Sequence, residues 1–269
     1  WGHYHVMYGL MLWYDHTGDK TALKACEKAA DLICKTFLND EQRLENIESP
    51  DQNLAIFHAL LLLYQKTETN RYKEMADAIE KSFRHSGNFV NAGVQGKEYY
   101  MVGGGRWESL HILQGLFEYY KMTGEEKYKK AFMNFWHSIN NHDVHNTGGF
   151  STSERAIGNP YDHGAIETCC VVAWIAMSVD ALRLTADVHV ADALELALYN
   201  AASGAQHPQG DWWTYDTPMN GRKYPSCVSL NFQSRESTPE LNCCSVNGPR
   251  SISSLSDWAI MHAENDAIV

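Results

Sequence analysis

Residues 116–132, LFEYYKMTGEEKYKKAF, contain the pattern that decides the fold. An apolar helix ends in aromatic residues, a turn containing Thr123 follows, and a second, more polar helix begins. The same plan recurs in three other stretches: LMLWYDHTGDKTAL (10–23), LLLLYQKTETNRYKEMA (60–76) and, in degenerate form, VDALRLTADVHVADAL (179–194). The pattern therefore predicts a repeated pair of helices joined by a tight turn.

The four turn threonines define the length of this repeat. They stand 50, 56 and 62 residues apart along the sequence, at Thr17, Thr67, Thr123 and Thr185. Such a period fits one antiparallel helix pair plus a loop. Repeated helical hairpins bury their apolar faces by stacking on neighbours, as solenoids or closed toroids, so the sequence predicts an all-α fold of this kind.

Two long loops and one region without helical period interrupt the repeat. The loops at 88–106 and 142–164 are rich in Gly, Asn, His and aromatic residues. Loops of this length in a compact domain usually have a function. Residues 204–250 lose the helical period, and the alternation in DWWTYDTP and SCVSLNF predicts short strands there.

Composition excludes some classes of partner. The 269 residues carry a formal net charge of −11, which disfavours nucleic acid and anionic membrane surfaces. No run approaches 18 consecutive apolar residues, so no membrane span is predicted. The segment shows no signal peptide and begins inside a helix, so we expect an internal piece of a longer chain. The sequence does not decide between a bacterial-type cytoplasm and a periplasm as the compartment. It is compatible with a homodimer.

The cysteines are candidates for disulfide bonds, metal ligands or a catalytic group. Seven are present, including two adjacent pairs, in IETCCVVAW (166–174) and in LNCCSVNGPR (241–250). An odd number and adjacent pairs disfavour a disulfide framework, because neighbouring cysteines rarely bond without strain. Cys26 and Cys34 lie in a helical stretch and are predicted to be small core residues.

A glutamate two residues before the first cysteine pair makes a metal site possible. Glu167 and Cys169 together with Cys243 and Cys244 would offer one oxygen and three sulfurs, a donor set that suits zinc. A metal-held thiolate could also be a nucleophile, since contact with a cation keeps the sulfur ionised. The usual C-x-x-C spacing is absent. Spacing alone therefore favours a structural reading of these thiols over a catalytic one.

Other candidates have equally plain structural readings. Glu154 follows a Gly-Gly turn and suits a general acid, although a loop charge paired with Arg155 is the simpler reading. Glu195 could face solvent on a helix, and His5 could be a satisfied core imidazole. The aromatic residues of DWWTYDTP, including Trp213 and Tyr215, could belong to the core or stack on sugar faces.

Four segments together resemble those of a known family, the zinc-dependent β-L-arabinofuranosidases of glycoside hydrolase family 127 and their relatives. The segments are TGGFSTSE (147–154), ETC (167–169), ELALYNAASGAQHPQGDWWTYDTP (195–218) and CCSVNGPR (243–250). Their order and rough spacing fit, and the resemblance spans nearly the whole chain. The Glu-x-Cys with a later Cys-Cys-x-x-Asn-x-x-Arg is the most specific part.

The resemblance implies a role for each matching residue. Glu167, Cys169, Cys243 and Cys244 would hold zinc, with Cys243 as the nucleophile and Glu154 as the acid/base. The residues implied to touch the sugar are His5, Glu195, Trp213 and Tyr215. Departures include Ser245 and Val246 in place of two prolines and Cys170 as an additional thiol.

The resemblance also implies a fold, an (α/α)6 toroid of helical hairpins followed by β-sandwich domains. About four and a half hairpins are visible. We therefore expect residues 1–269 to form a single catalytic domain of this type, truncated at both ends, with the β-sandwich domains absent and short strands in the 204–250 region.

Three functional readings follow. The first is a retaining glycoside hydrolase, similar to β-L-arabinofuranosidases, with a zinc-bound thiolate nucleophile, a glutamate acid/base and an arabinofuranoside or related glycan as substrate. The second is a non-catalytic helical carbohydrate-binding or scaffold module with a structural zinc clamp. The third is a hydrolase without metal, in which Glu154 and Glu167 act as acid and base.

Overall fold

The computed structural model describes residues 1–102, 105–152, 154–220, 243–262 and 267–268. The α-helices in this part of the chain are α1 (Gly2–Thr17), α2 (Lys20–Phe37), α3 (Glu41–Glu45), α4 (Pro50–Asn53), α5 (Ile56–Thr67), α6 (Asn70–Ser82), α7 (Phe89–Val94), α8 (Leu110–Thr123), α9 (Glu126–His142), α10 (Thr168–Thr185), α11 (Val188–Leu196), α12 (Ser203–Ala205) and α13 (Cys243–Ser253). Short 3₁₀ segments cover Phe83–His85, Tyr99–Met101, Trp107–Ser109 and Ser254–Asp257, and Ala197–Ala202 is a π-helix. The predicted all-α character is confirmed.

The strands in the described part of the chain are each two residues long. Strand β1 (Ile166–Glu167) pairs antiparallel with β2 (Asp216–Thr217), so that Glu167 stands opposite Asp216. Strand β3 (Met261–His262) pairs antiparallel with β4 (Ala267–Ile268). Among the described residues of the 204–250 region, where strands were predicted, β2 is the strand that the structure contains. The predicted SCVSLNF strand, which includes Cys227, lies outside the described residues.

The predicted turns all have the same local structure. In each of them the threonine ending the first helix donates its hydroxyl to the carbonyl oxygen four residues earlier, at 2.7–2.9 Å. The same hydroxyl oxygen accepts the backbone N–H two residues later, at 3.2–3.4 Å. Both bonds occur at Thr17, Thr67, Thr123 and Thr185. Each threonine thus binds the end of one helix to the start of the next, which explains why this residue type recurs.

The residue after each threonine is left-handed, as is usual just past the end of a helix. Gly18 and Gly124 occupy this position with φ of 72° and 68°, whereas Glu68 and Ala186 occupy it with φ of 54° and 51°. A side chain in this conformation crowds its own backbone, and glycine does not. The two non-glycine turns therefore hold local strain.

We expect Ala186→Gly to raise the free energy of unfolding by about 0.5–1 kcal/mol, because it relieves this crowding. The reverse change, Gly124→Ala, is the matched control. A Cβ at Gly124 meets no atom within 4 Å, so only the backbone conformation is altered. It should lower stability by about 1 kcal/mol. Urea unfolding measures both variants, and equal stability of Gly124→Ala and the parent would contradict the explanation.

The chain divides into two compact units. The first comprises Trp1–Lys97, Val102–Gly104 and His111–Phe132, and the second comprises Glu98–Met101, Gly105–Leu110 and the described part of Met133–Val269. In the first unit, α2 buries Ala22, Cys26, Ala30 and Cys34, which lie on one helical face. The Cys26 thiol donates to the Met7 carbonyl at 3.4 Å. The prediction that Cys26 and Cys34 are core residues is confirmed.

Helix α10 forms the core of the second unit. It packs against α11, α13 and the π-helix, and Trp174 on it stacks on Trp136 of α9. By length and hydropathy this helix could cross a membrane, a property that the sequence analysis did not predict. However, 78% of its apolar window is buried inside the protein, which is typical of a core helix.

Candidate metal centre and active site

Glu167 and Cys169 lie where β1 runs into α10. Glu167 is the last residue of β1 and the N-cap of α10, and Cys169 and Cys170 occupy the first turn of that helix. Thr168 ties the junction to the neighbouring strand segment, donating its N–H to the Tyr215 carbonyl at 2.9 Å and its hydroxyl to the Thr214 carbonyl at 2.8 Å. These bonds fix the direction in which the carboxylate and the thiol point.

Cys243 and Cys244 begin α13, which packs against α10 and the π-helix. Close packing on Trp213 holds α13 in place, because a Cβ built at Gly248 would lie 2.3 Å from the Trp213 ring. Only a glycine allows this approach. Trp213 is 6% exposed. Its contact with Gly248 gives this residue a structural role against the helix that begins with the two thiols, in addition to the sugar contact that the resemblance implies.

The four predicted metal ligands come together. One donor atom from each of Glu167, Cys169, Cys243 and Cys244 lies within 4.8 Å of all the others. Cys244 Sγ lies 3.3 Å from Cys169 Sγ, 3.9 Å from Cys243 Sγ and 3.2 Å from Glu167 Oε1. Thiolates around a tetrahedral zinc, with bonds of about 2.3 Å, stand about 3.8 Å apart. The spacing of the cluster is therefore close to that of a zinc site.

The electrostatics of the cluster also fit a cation. Burial raises the pKa of Glu167 to about 8 and raises the pKa of the Cys169 and Cys244 thiols. Hydrogen bonds from those two thiols lower the pKa of Cys243 to about 3. Without a positive charge the pocket thus favours one thiolate, on Cys243, supported by two protonated neighbours. A divalent cation would allow all four groups to ionise.

Two further side chains support the cluster. Cys170 donates its thiol to Glu167 Oε2 at 2.8 Å, and burial raises the pKa of that thiol. The Asn247 amide donates to Cys169 Sγ at 3.4 Å. Neighbours that hydrogen-bond to the ligands fix their orientation in metal sites. Cys243 is the exposed member of the set, and Glu167, Cys169 and Cys244 are buried. Of the three sulfurs, that of Cys243 is the one a ligand in solution can reach.

Glu154 lies on a loop that packs closely on the π-helix. A Cβ at Gly148 would stand 2.5 Å from the Ala197 nitrogen, so the Gly-Gly turn is needed for this approach. Glu154 itself has a left-handed backbone, with φ of 67°, which is strained for a residue with a side chain. Its carboxylate accepts from Arg106 Nη2 at 2.7 Å and from the Tyr215 hydroxyl at 2.5 Å. The ion pair is thus with Arg106, and not with Arg155 as the simpler reading supposed.

Tyr215 donates its hydroxyl to Glu154, and nearby charges act on its pKa. Burial raises its pKa most, followed by the negative charge of Glu167, the bond to Glu154 and the charges of Glu154 and Cys243. The phenol therefore stays protonated and donates to Glu154. All of these groups belong to the second compact unit. Tyr215 is thus in direct contact with Glu154, and the charge of Cys243 makes a smaller contribution to its raised pKa.

Two further residues, Glu195 and His5, are predicted to contact the sugar. Glu195 is exposed on α11. His5, in the first unit, is half-buried among aromatic rings and stands edge-on to Trp1 and His111. The sequence analysis missed Glu108, the bond from Cys170 to Glu167 and the contact of Arg106 with Glu154. The last of these joins two separate segments and leaves no local signal.

Comparison with known proteins adds independent evidence. A model of the GH127 catalytic domain of β-L-arabinofuranosidases matches residues 1–257. No curated protein matches the sequence. Among solved structures, a GH127 β-L-arabinofuranosidase from Geobacillus stearothermophilus T6 is 19% identical with a TM-score of 0.71, covering 98% of this chain and 46% of that chain.

Two other solved structures have a similar fold. A glycoside hydrolase is 17% identical with a TM-score of 0.76, covering 98% of this chain and 47% of that chain. A GH127 β-arabinofuranosidase is 21% identical with a TM-score of 0.70, covering 96% of this chain and 40% of that chain. The chain thus spans less than half the length of these proteins. Their likeness confirms the predicted fold class.

The fold and the family match together define a glycoside hydrolase catalytic domain. More specifically, the chain belongs to the GH127 β-L-arabinofuranosidase family, because the family model covers nearly all of it. The resemblance stated from the four sequence segments is confirmed.

Proposed function

We propose that the protein is a retaining glycoside hydrolase in which Cys243 is the nucleophile and Glu154 the acid/base. The observation that carries this proposal is the position of Tyr215, whose hydroxyl donates to Glu154 and whose pKa is raised in part by the charge of Cys243. Cys243 is exposed and the Glu154 side chain is 28% exposed, so a thiol and a carboxyl group of the second unit are both open to solvent. Retaining hydrolysis requires this combination of a nucleophile and a proton donor.

In the first step the Cys243 sulfur attacks the anomeric carbon of the sugar. The bond from that carbon to the leaving oxygen breaks, and Glu154 gives its proton to this oxygen. A thioglycosyl intermediate remains on Cys243, with inverted configuration at the anomeric carbon. The low pKa of Cys243 supports this role because the attacking species is the thiolate.

In the second step Glu154, now ionised, takes a proton from water as the water oxygen attacks the same carbon. The carbon–sulfur bond breaks, the electron pair returns to Cys243, and the sugar leaves with its original configuration. Zinc held by Glu167, Cys169, Cys243 and Cys244 would supply positive charge that keeps the sulfur ionised and makes it a better leaving group. The hydrogen bond from Tyr215 keeps Glu154 oriented in both steps.

The substrate class follows from the relatives. Two of the solved structures are named as β-L-arabinofuranosidase and β-arabinofuranosidase. We therefore propose an arabinofuranoside or a related glycan as the substrate, with Trp213, Tyr215, Glu195 and His5 as sugar contacts. Tyr215 has the strongest support, since it contacts the proposed acid/base directly.

A structural zinc clamp is the alternative reading. It is favoured by the separation of 75 residues between Cys169 and Cys244, because a cation there would join two distant segments. The clamp does not require Glu154, whereas hydrolysis does.

A third alternative is a hydrolase without metal, in which Glu154 and Glu167 act as acid and base. Metal analysis of the purified protein separates this alternative from the other two.

We expect one tightly bound zinc per chain in protein purified without chelators. Binding must displace protons from Glu167, Cys169 and Cys244, whose pKa values are raised by burial. The affinity should therefore fall by more than about tenfold per pH unit as the pH drops from about 8 to 5. Elemental analysis and chelator competition measure both quantities.

The control for this prediction is a cysteine outside the cluster. Cys34→Ser should keep the metal, since Cys34 is buried in the first unit and donates to the Arg71 carbonyl. Cys169→Ser should lose the metal and much of the stability together, because a hydroxyl is a poor zinc ligand. Parent protein that contains no metal would exclude the zinc mechanism and the clamp together.

A further inference from the structure

Arg106 and Glu108 form a charged network with Glu154. We infer that Arg106 is a positioning residue that fixes the carboxylate of Glu154, and that Glu108 in turn fixes Arg106. The inference rests on the proposed function, in which Glu154 is the acid/base. The inference gives this ion-pair network a role in catalysis. Neither the zinc site nor the helical repeat depends on the network.

The side-chain hydrogen bonds link Glu108 to Arg106 and Arg106 to Glu154. Arg106 binds Glu108 in the two-pronged way typical of guanidinium and carboxylate, through Nε to Oε2 and Nη2 to Oε1, each at 2.9 Å. Nη2 also donates to Glu154 Oε2 at 2.7 Å. Glu108 therefore orients the planar fork, and one nitrogen of the fork is directed at Glu154.

The backbone brings the same residues together independently of their charges. Arg106 forms a β-bridge with Arg155, and the Ala156 N–H donates to the Gly105 carbonyl at 2.9 Å. The Arg106 carbonyl accepts from the Tyr99 hydroxyl at 2.7 Å and from the Ser109 hydroxyl at 2.8 Å. The segment carrying Arg106 is thus anchored on both sides of its side chain, beside the loop that carries Glu154.

The burial of Glu108 is the observation that points beyond an ordinary surface ion pair. Glu108 is 2% exposed, whereas the side chains of Arg106 and Glu154 are 23% and 28% exposed. A carboxylate is costly to bury unless a cation and hydrogen bonds compensate it. The network therefore runs from a buried carboxylate, Glu108, to a partly exposed one, Glu154.

The result is a carboxylate with both oxygens held. Arg106 binds Oε2, Tyr215 binds Oε1, and the left-handed backbone of Glu154 restricts the side chain further. A general acid must meet the leaving oxygen in a narrow range of positions, and small displacements reduce the rate strongly. Loosening Arg106 should therefore weaken proton transfer while leaving the thiol cluster intact.

The test is leaving-group dependence in the complete protein. Arg106→Gln should lower kcat on an unactivated arabinofuranoside by roughly 10–10²-fold, with little change in KM or zinc content. On a 4-nitrophenyl arabinofuranoside, whose leaving group needs no proton, glycosylation should fall by less than about threefold. Arg106→Lys should recover part of the loss, because lysine keeps the charge but cannot contact both carboxylates in the same way.

Glu108→Gln tests the second half of the inference without touching Glu154. It should give the same leaving-group dependence as Arg106→Gln, in weaker form, since the fork loses its anchor. Arg183→Gln is the matched control, because it removes an ion pair with Asp180 that includes neither Glu108 nor Glu154. Its kinetics should equal those of the parent on both substrates.

A double variant shows whether Arg106 acts through Glu154. In the Glu154→Gln background, Arg106→Gln should cause little further loss, because the group it positions is already gone. Independent, multiplicative losses would overturn the inference, as would equal losses of Arg106→Gln on both substrates. If Glu154→Gln itself shows no leaving-group dependence, the proposed acid/base function fails, which is a different result from failure of Arg106 alone.

Discussion

We expect Cys243→Ser to abolish turnover, lowering kcat by about 10³-fold or more, while the protein stays folded. The thiolate is the attacking species, and Cys243 has a pKa near 3 in its cluster, whereas a serine hydroxyl stays protonated at neutral pH. Cys243 is the exposed member of the cluster, so the substitution disturbs little packing. Steady-state kinetics, with circular dichroism as a check on folding, measure the effect.

The neighbouring thiols provide the contrast for this variant. Cys244→Ser should lose metal and stability along with activity, because Cys244 is fully buried between Cys169 and Glu167. Cys243→Ser should lose activity far more than stability. A Cys243→Ser protein that hydrolyses arabinofuranosides at the parent's rate would rule out the thiolate mechanism. The zinc clamp would then be the better account of the two cysteine pairs.

Glu154→Gln has the second large expected effect, a fall in rate of roughly 10²–10⁴ on natural substrates. Glutamine is similar in size and can still accept a hydrogen bond from Tyr215 or Arg106, so fold and metal content should be retained. It cannot deliver a proton to the leaving oxygen. Kinetics on an unactivated arabinofuranoside measure the loss.

An activated substrate separates the two steps for this variant. A good leaving group needs no proton, so the first step should recover much of its rate, while release of the sugar from Cys243 stays slow. A burst of released leaving group followed by a slow steady state is the expected time course. Unchanged hydrolysis of the natural substrate would show that another group is the acid/base.

Much of the fold could be predicted because its signals are local. Thr17 and Thr123 each lie at the end of an apolar helix, and the hydrogen bonds that make them useful reach only four residues back and two forward. Strand β1 could not be predicted in this way. It is two residues long, and its partner β2 lies some fifty residues later in the chain.

Part of the site could be predicted, because residues that are close in sequence contribute to the same cluster. Glu167 and Cys169 are adjacent to the start of one helix, and Cys243 and Cys244 begin another, so each half of the cluster has a visible motif. Arg106 and Glu154 are 48 residues apart and have no motif in common. Their contact depends on how two loops pair, which the order of residue types does not specify.

The threonine turns have a consequence for how this fold persists through evolution. Each turn is specified by a hydroxyl residue, a left-handed residue and the start of the next helix, with bonds spanning only a few positions. The helices between the turns need only keep an apolar face, and many sequences provide one. Ancestral hairpins could thus diverge almost freely between these short constraints. This chain shares its architecture with solved structures at 17–21% identity.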